Sequence, residues 1–261
     1  MLQAREELGN LYGRLNRPND RITQLEALRA LDGTASRDVA LGLAYAKAGR
    51  PDSAVTTLSA AAERYPDHAY TYVALGRVWL ELAQPRGDRV ALSKALGALE
   101  GAVGTDNSSE ALTLFGRALL LADDEELAER MLQQATEKLP VDLMAFYYLA
   151  EAAERRSHIA VARAALIDYQ TLEGDDAGGA RRASIATRIA DHSARLGEPE
   201  VAVTWFQRAI AAGGEDAALL LRLAEAQMRA GDLPAARTTV TKVLDGDPAN
   251  RGAHALLRRL R

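Results

Sequence analysis

The chain has 261 residues, of which 48% are hydrophobic and 5% aromatic, and its formal net charge is -4. A negative net charge does not suggest a general nucleic-acid binder, which needs a concentrated basic face. No apolar run reaches the ~18 residues that a membrane-spanning helix needs. The absence of cysteine excludes disulfides and thiolate chemistry, and it suits the cytoplasm and the periplasm equally, so the compartment stays open.

The most informative sequence feature is a pattern that returns about every 34 residues. It is clearest in Leu41, Gly42, Tyr45, Gly49, Ala54, Leu58, Ala61 and Pro66. The same spacing recurs in Leu223, Ala224, Gln227, Gly231, Ala236, Val240, Val243 and Pro248. A fixed period of this length predicts repeated helix pairs, which stack because one pair alone cannot bury its apolar face.

Taken in chain order, the predicted elements are helix pairs followed by a short terminal helix. The predicted repeats cover residues 2–34, 35–68, 69–108, 109–142, 143–182, 183–216 and 217–250, with a capping helix over 251–261. We interpret 1–261 as a single solenoid. Because the first repeat begins at Met1 without a lead-in, we also expect the chain to be a fragment of a longer protein.

Local signals agree with these boundaries. Pro51 and Pro199 stand where second helices begin, and proline is tolerated in the first turn of a helix. Gly49, Gly197 and Gly231 stand between paired helices, where a left-handed residue ends the first helix.

The recurring positions resemble the tetratricopeptide repeat family over essentially the whole chain. The resemblance implies an all-α, right-handed α-solenoid of stacked antiparallel helix pairs. It also implies a scaffold without catalytic activity, in which first helices line a concave groove that binds a peptide or helix of a partner protein.

A second apolar stripe on the predicted first helices indicates where a partner binds, because one stripe is enough for core packing. The predicted partner-binding residues are Val39, Leu43, Val73, Arg77, Leu80, Thr113, Arg117, Leu121 and Tyr147. The alternative is that these side chains pack on the neighbouring repeat.

Arg77 and Arg117 occupy equivalent positions in adjacent repeats. Two guanidinium groups over an apolar floor would suit an acidic segment or a chain terminus, bound through its carboxylates. The alternative is that each arginine pairs with a local carboxylate such as Glu81, or is solvated.

The C-terminal half differs in its charge pattern. Acid–base pairs at i, i+4 recur at one repeat position, and predict a polar ladder on successive first helices. These pairs are Glu151–Arg155, Asp191–Arg195 and Glu225–Arg229. They are either solvated helix pairs or a polar half-groove for a charged partner segment.

The sequence gives little support for catalysis, a cofactor or a metal site. His68, His158, His192 and His254 fall in different repeats, without metal-ligand spacing. We therefore expect no catalytic residues, no metal, no cofactor, no nucleic-acid partner and no membrane insertion by this segment.

Three functions remain open. The first is a scaffold that holds a partner's peptide or helix. The second is an array that docks or regulates an enzyme, a receptor or an envelope export or assembly machine on the same longer polypeptide. The third is an array that self-assembles through its first repeat, so that the chain is either a monomer or weakly self-associating.

Overall fold

The computed structural model describes residues 2–84, 87–174 and 178–260, and within these residues every regular element is helical. The helices are α1 Leu2–Arg14, α2 Pro18–Leu31, α3 Ala35–Lys47, α4 Pro51–Arg64, α5 Ala69–Ala83, α6 Arg89–Thr105, α7 Ser109–Leu121, α8 Glu125–Thr136, α9 Leu143–Arg155, α10 Ile159–Glu173, α11 Gly179–Arg195, α12 Pro199–Ala209, α13 Ala217–Arg229, α14 Leu233–Gly246 and α15 Arg251–Arg259.

These elements form seven helix pairs and one terminal helix, so the predicted all-α repeat architecture is confirmed. The chain divides into two compact units, Met1–Ala145 and Phe146–Arg261. That all repeats form one continuous right-handed solenoid stays a prediction, as do the repeat boundaries. The last predicted residue of the cap, Arg261, lies outside the described residues.

In the first unit each helix packs on the next helix of the chain, and first helices also pack on one another. α3 contacts α5, and α5 contacts α7. The apolar positions of α2 and α3 form one shared cluster that includes Leu28 and Leu41, each 1% exposed. The core of this unit therefore runs from pair to pair, as stacked repeats require.

The second unit shows the same order. α11 packs on α12, α12 on α13, α13 on α14, and α15 covers both α13 and α14. Leu256 and Leu260, in and directly after α15, are 4% and 3% exposed and join the cluster around Val240. The terminal helix therefore covers the apolar face of the last pair, which is the role of a capping element.

Close approach depends on glycine in the α3–α4, α5–α6 and α7–α8 pairs. A Cβ atom added to Gly42, Gly76 or Gly116 would lie 2.4–2.5 Å from the Cγ atom of Leu58, Leu99 or Leu132, respectively. These leucines are completely buried. The side chain that meets each glycine is thus a leucine of the second helix.

The turns within pairs use left-handed backbone conformations. Gly49, Gly197 and Gly231 have φ angles of 71°, 78° and 83°, which confirms their predicted position at helix ends. Asp123 and Ser157 adopt φ angles of 58° and 61° at the corresponding turns, although residues with a Cβ atom adopt this conformation less readily.

The structure differs from the sequence prediction at the start of α11, which begins at Gly179 instead of near residue 183. After α12, a wider π-type turn over Ile210–Gly214 approaches this helix start. A Cβ atom on Gly179 would lie 2.7 Å from the carbonyl oxygen of Ala212, so glycine permits the early start.

We expect Gly76→Ala to destabilise the fold by about 1–3 kcal/mol, because the new methyl group overpacks the contact with Leu99. Gly97→Ala in α6 is the matched control, since nothing lies within 4 Å of its added Cβ atom. That control should be neutral or stabilising by up to ~1 kcal/mol. Urea unfolding of both variants measures the difference, and equal stabilities would contradict the packing argument.

Candidate functional site

Four residues of the predicted partner site are buried in the interior of the first unit. Val39, Val73, Leu80 and Thr113 are 0–2% exposed. Val39 packs in the cluster that contains Leu58, and the Thr113 hydroxyl donates a hydrogen bond to the carbonyl oxygen of Ser109 (2.7 Å). These four side chains therefore pack inside the chain, as the alternative interpretation of the stripe had it, and are not accessible to a partner.

The accessible part of the predicted face is smaller and mixed in character. Leu121 at the end of α7 is 38% exposed, and Leu43 on α3 is half-buried. Tyr70 on α5, which is not among the predicted residues, is 43% exposed. Arg77 on α5 forms an ion pair with Glu110 on α7. Its partner is thus on the next first helix, whereas the sequence alternative had named Glu81.

Arg117 lies one repeat after Arg77, on α7, and is half-buried. Since α5 packs directly on α7, both arginines belong to neighbouring helices of the first unit. This surface, formed by Leu43, Tyr70, Arg77, Arg117 and Leu121, is called the α3–α5–α7 face below.

Tyr147 lies in the second unit, where it belongs to an aromatic and charged cluster. Its ring is 5.7 Å from the ring of Tyr148, in an edge-on arrangement, and 5.7 Å from that of Tyr169. The Arg188 guanidinium lies over the Tyr147 ring at 5.3 Å, which is a favourable cation–π distance.

The same arginine organises a partly buried polar group. Arg188 Nε and Nη2 donate to the two carboxylate oxygens of Glu154, at 3.0 and 2.7 Å, and His192 Nε2 lies 2.6 Å from Glu154 Oε1. Burial alone would raise the pKa of Glu154, but its hydrogen bonds with His192 and Arg188 outweigh burial and lower the pKa.

The predicted polar ladder of the second unit forms only in part. Glu151 and Arg155 pair at 2.8 Å, as expected from their i, i+4 spacing. Asp191, however, pairs with Arg222 of α13 at 2.9 Å, and among the described residues neither Arg195 nor Glu225 nor Arg229 makes an ion pair. The ladder is therefore wrong at Asp191–Arg195 and Glu225–Arg229.

The Asp191–Arg222 ion pair lies in a groove of about 400 Å³ between α11 and α13. The groove is lined by Asp191, Arg195, Arg222, Glu225 and Arg229, among other residues. Burial raises the pKa of Asp191, and the charge of Arg222 opposes this effect. We call this surface the α11–α13 groove.

The sequence analysis did not identify Glu110, Glu154 and Arg188 as interacting residues. Their spacing could have predicted these ion pairs, because Arg188 and Glu154 are 34 positions apart and Arg77 and Glu110 are 33 apart. Opposite charges separated by about one repeat are brought together by stacking.

The described residues contain no group of three or more histidine or acidic side chains that could hold a metal ion. No helix formed by these residues combines the length and the apolar character that crossing a membrane requires.

Two family models match the chain, and both are described as tetratricopeptide repeat. One matches residues 194–260 and the other residues 35–84. No curated protein matches the sequence.

Solved structures match the fold at low sequence identity. The chain resembles YrrB, a TPR protein described as having an unusual peptide-binding site, with 16% identity, a TM-score of 0.62 and coverage of 77% of this chain and 97% of YrrB. It also resembles a tetratricopeptide repeat protein from Parabacteroides merdae, with 14% identity, a TM-score of 0.56 and 99% coverage of both chains. Against the APC/C hetero-tetramer Cut9-Hcn1 the identity is 14% and the TM-score 0.57, with 95% of this chain covered but only 47% of the matched chain.

We expect the Glu154 cluster to make stability depend on pH. Because the pKa of Glu154 is lowered from its ordinary value of 4.5, its contribution is complete above that value and is lost as the pH falls through the folded-state pKa. Glu154→Gln should therefore cost about 1–2 kcal/mol near neutral pH and progressively less in acid.

Urea unfolding of wild type and Glu154→Gln, from neutral pH down into the acid range, measures this difference. Glu225→Gln is the control, since Glu225 is exposed and unpaired among the described residues and its replacement should change stability little. A gap between wild type and Glu154→Gln that stays constant with pH would contradict the prediction.

Proposed function

Because the chain is a tetratricopeptide repeat protein, we propose that it is a protein-interaction scaffold whose first helices hold a peptide or helix of a partner. The observation that carries this proposal is the α3–α5–α7 face. There, exposed Tyr70 and Leu121 lie on the same helices as Arg77 and Arg117. The peptide-binding site in the description of the similar YrrB structure gives further support.

The chemistry of this face favours a segment that is both apolar and acidic. Tyr70 and Leu121 offer area that is removed from water on binding, at about 25 cal/mol per Å² before the costs of association. Arg77 is already paired with Glu110, and both side chains remain partly exposed, at 40% and 36%. A carboxylate of the partner can therefore replace or join Glu110 at this guanidinium, which would set the direction of the bound segment.

Peptides selected by phage display on the immobilised protein provide ligands for a test. Arg77→Glu/Arg117→Glu should weaken their binding by more than about tenfold, because close charge complementarity is reversed. The helical circular dichroism signal should change little, since the apolar contacts between repeats hold the fold together, and it is recorded for each variant beside binding.

Arg130→Glu/Arg258→Glu is the matched control, with the same change of charge on the exposed surfaces of α8 and α15. Retained binding by the α3–α5–α7 variant, or an equal loss in the control, would place the partner elsewhere on the chain.

A second candidate function is self-assembly through α1, and a specific observation favours it. Leu8 and Leu11 are 40% and 43% exposed. One repeat later the equivalent residues are Leu41 and Ala44, which are 1% exposed and packed against α2. The corresponding face of α1 is thus available to a second copy of this chain.

If this face joins two copies, sedimentation velocity should show association that increases with concentration. Leu8→Glu/Leu11→Glu should abolish the association, because two charges would be buried in an apolar contact. Val90→Glu, on a side chain that is 66% exposed, is the control. A wild-type protein that stays monomeric at every concentration would exclude this function.

A further inference from the structure

The α11–α13 groove contains more positive charge than its own carboxylates neutralise. Three arginines and two carboxylates line it, and one arginine, Arg222, is already paired with Asp191 at 2.9 Å. Arg195 and Arg229 are exposed, and among the described residues neither makes an ion pair. The groove therefore presents two guanidinium groups whose hydrogen-bonding capacity is available to a ligand.

We propose that the α11–α13 groove binds an extended acidic segment of a partner protein, with Arg195 and Arg229 each holding one side-chain carboxylate. This inference deepens the scaffold function proposed above and rests on it, but it uses only residues of the second unit. Arginine suits the task because its planar guanidinium matches a carboxylate with two parallel hydrogen bonds.

The register of the two arginines supports an extended ligand. Arg195 ends α11 and Arg229 ends α13, so they occupy the same position in successive repeats. The Asp191–Arg222 ion pair joins α11 to α13, and neighbouring helices lie ~8–10 Å apart when they pack. A segment in the extended polyproline II conformation advances ~3.1 Å per residue with three residues per turn, so acidic residues three positions apart lie on one side of it, ~9 Å from each other. Such residues would reach successive arginines.

The other residues of the groove define what lies between these two contacts. Small side chains, Ala194 and Ala226, line the groove together with Phe206, which is 2% exposed. The floor can therefore accommodate a peptide backbone. Glu225 is exposed on α13 and repels a carboxylate placed beside it, which favours neutral or basic residues between the two acidic positions.

The ion pair between Asp191 and Arg222 determines which arginines of the groove are available to a ligand. The Asp191–Arg222 ion pair joins α11 to α13, so Asp191 is occupied by Arg222. In the absence of that contact, Asp191 would be the i, i+4 partner of Arg195. The pairing between helices thus leaves Arg195 available.

The test uses a fluorescein-labelled peptide that carries glutamate at every third position, separated by neutral residues, with an amidated C-terminus. A second peptide has glutamine at these positions. Anisotropy titration of the full chain should show the glutamate peptide binding about tenfold or more tightly than the glutamine peptide, and weakening as salt is added. Equal binding of the two peptides would overturn the proposal.

Arg195→Glu/Arg229→Glu should remove the preference for the glutamate peptide, and Arg195→Lys/Arg229→Lys should retain part of it, because charge is kept while paired hydrogen bonding is lost. Arg251→Glu/Arg258→Glu on α15 is the control for net charge, and it should bind like wild type. An equal loss in this control would show general electrostatic attraction and overturn the assignment to the groove.

Two further measurements separate this inference from the α3–α5–α7 proposal. If Arg77→Glu/Arg117→Glu abolishes glutamate-peptide binding while Arg195→Glu/Arg229→Glu does not, the acidic preference belongs to the first unit and the present inference fails. If only a peptide with a free C-terminal carboxylate binds, recognition of side-chain carboxylates is excluded. Loss of phage-selected ligands in the first variant, with retained glutamate-peptide binding, would support both sites.

Discussion

The contact between a buried leucine of the second helix and a glycine of the first helix determines how closely the helices pack in three pairs of the first unit. In the first unit this contact joins glycine and leucine, as at Gly76 and Leu99, where a Cβ atom would lie 2.4 Å from Cγ. In the second unit the corresponding small residues are Ala150, Ala190 and Ala224, all completely buried. Packing at this density tolerates little change in volume, so the distance between paired helices is fixed locally, one pair at a time.

A fixed distance within pairs also determines which charged residues meet between repeats. Ion pairs recur at separations close to one repeat: 31 positions for Arg37–Glu6, 34 for Arg188–Glu154 and 35 for Arg163–Glu198. Each joins equivalent or nearly equivalent surfaces of neighbouring pairs. Pairs with an exposed partner, such as Arg37–Glu6, contribute little to stability, whereas the more buried Arg188–Glu154 pair contributes more. The apolar contacts still hold the repeats together, and the ion pairs select among the possible side-chain arrangements.

One carboxylate is buried and lies close to two arginines. Asp38 on α3 is 0% exposed and lies 2.7 Å from Arg29 Nε, with Arg64 at 3.5 Å. The helices on either side, α2 and α4, thus supply positive charge to this buried position. Removing one partner of such a group leaves a buried charge uncompensated, which is more costly than breaking an exposed pair.

The fold could be predicted from the sequence because its period, its turn residues and its small residues all indicate the same helix pairs. The candidate site could be predicted only in part. Val39, Val73 and Leu80 have the spacing of a second apolar stripe, but they are buried within the first unit, and spacing alone does not distinguish a binding stripe from packing on a neighbouring repeat. Similarly, Asp191 had a local partner in Arg195, yet it pairs with Arg222, because stacking offers contacts that a single helix does not contain.

The equivalent position on successive first helices changes from Leu43, Arg77 and Arg117 in the first unit to Glu151, Asp191 and Glu225 in the second. The paired helices use the same small-residue position throughout, so this change of charge does not require a change of packing. Exposed charge contributes more to the specificity and rate of association than to the stability of the fold. Substitutions at these surface positions are therefore expected to alter the choice of partner, while substitutions at the glycine–leucine contacts alter stability. The proposed binding residues and the residues that hold the helix pairs together are therefore separate sets, and each set can change without the other.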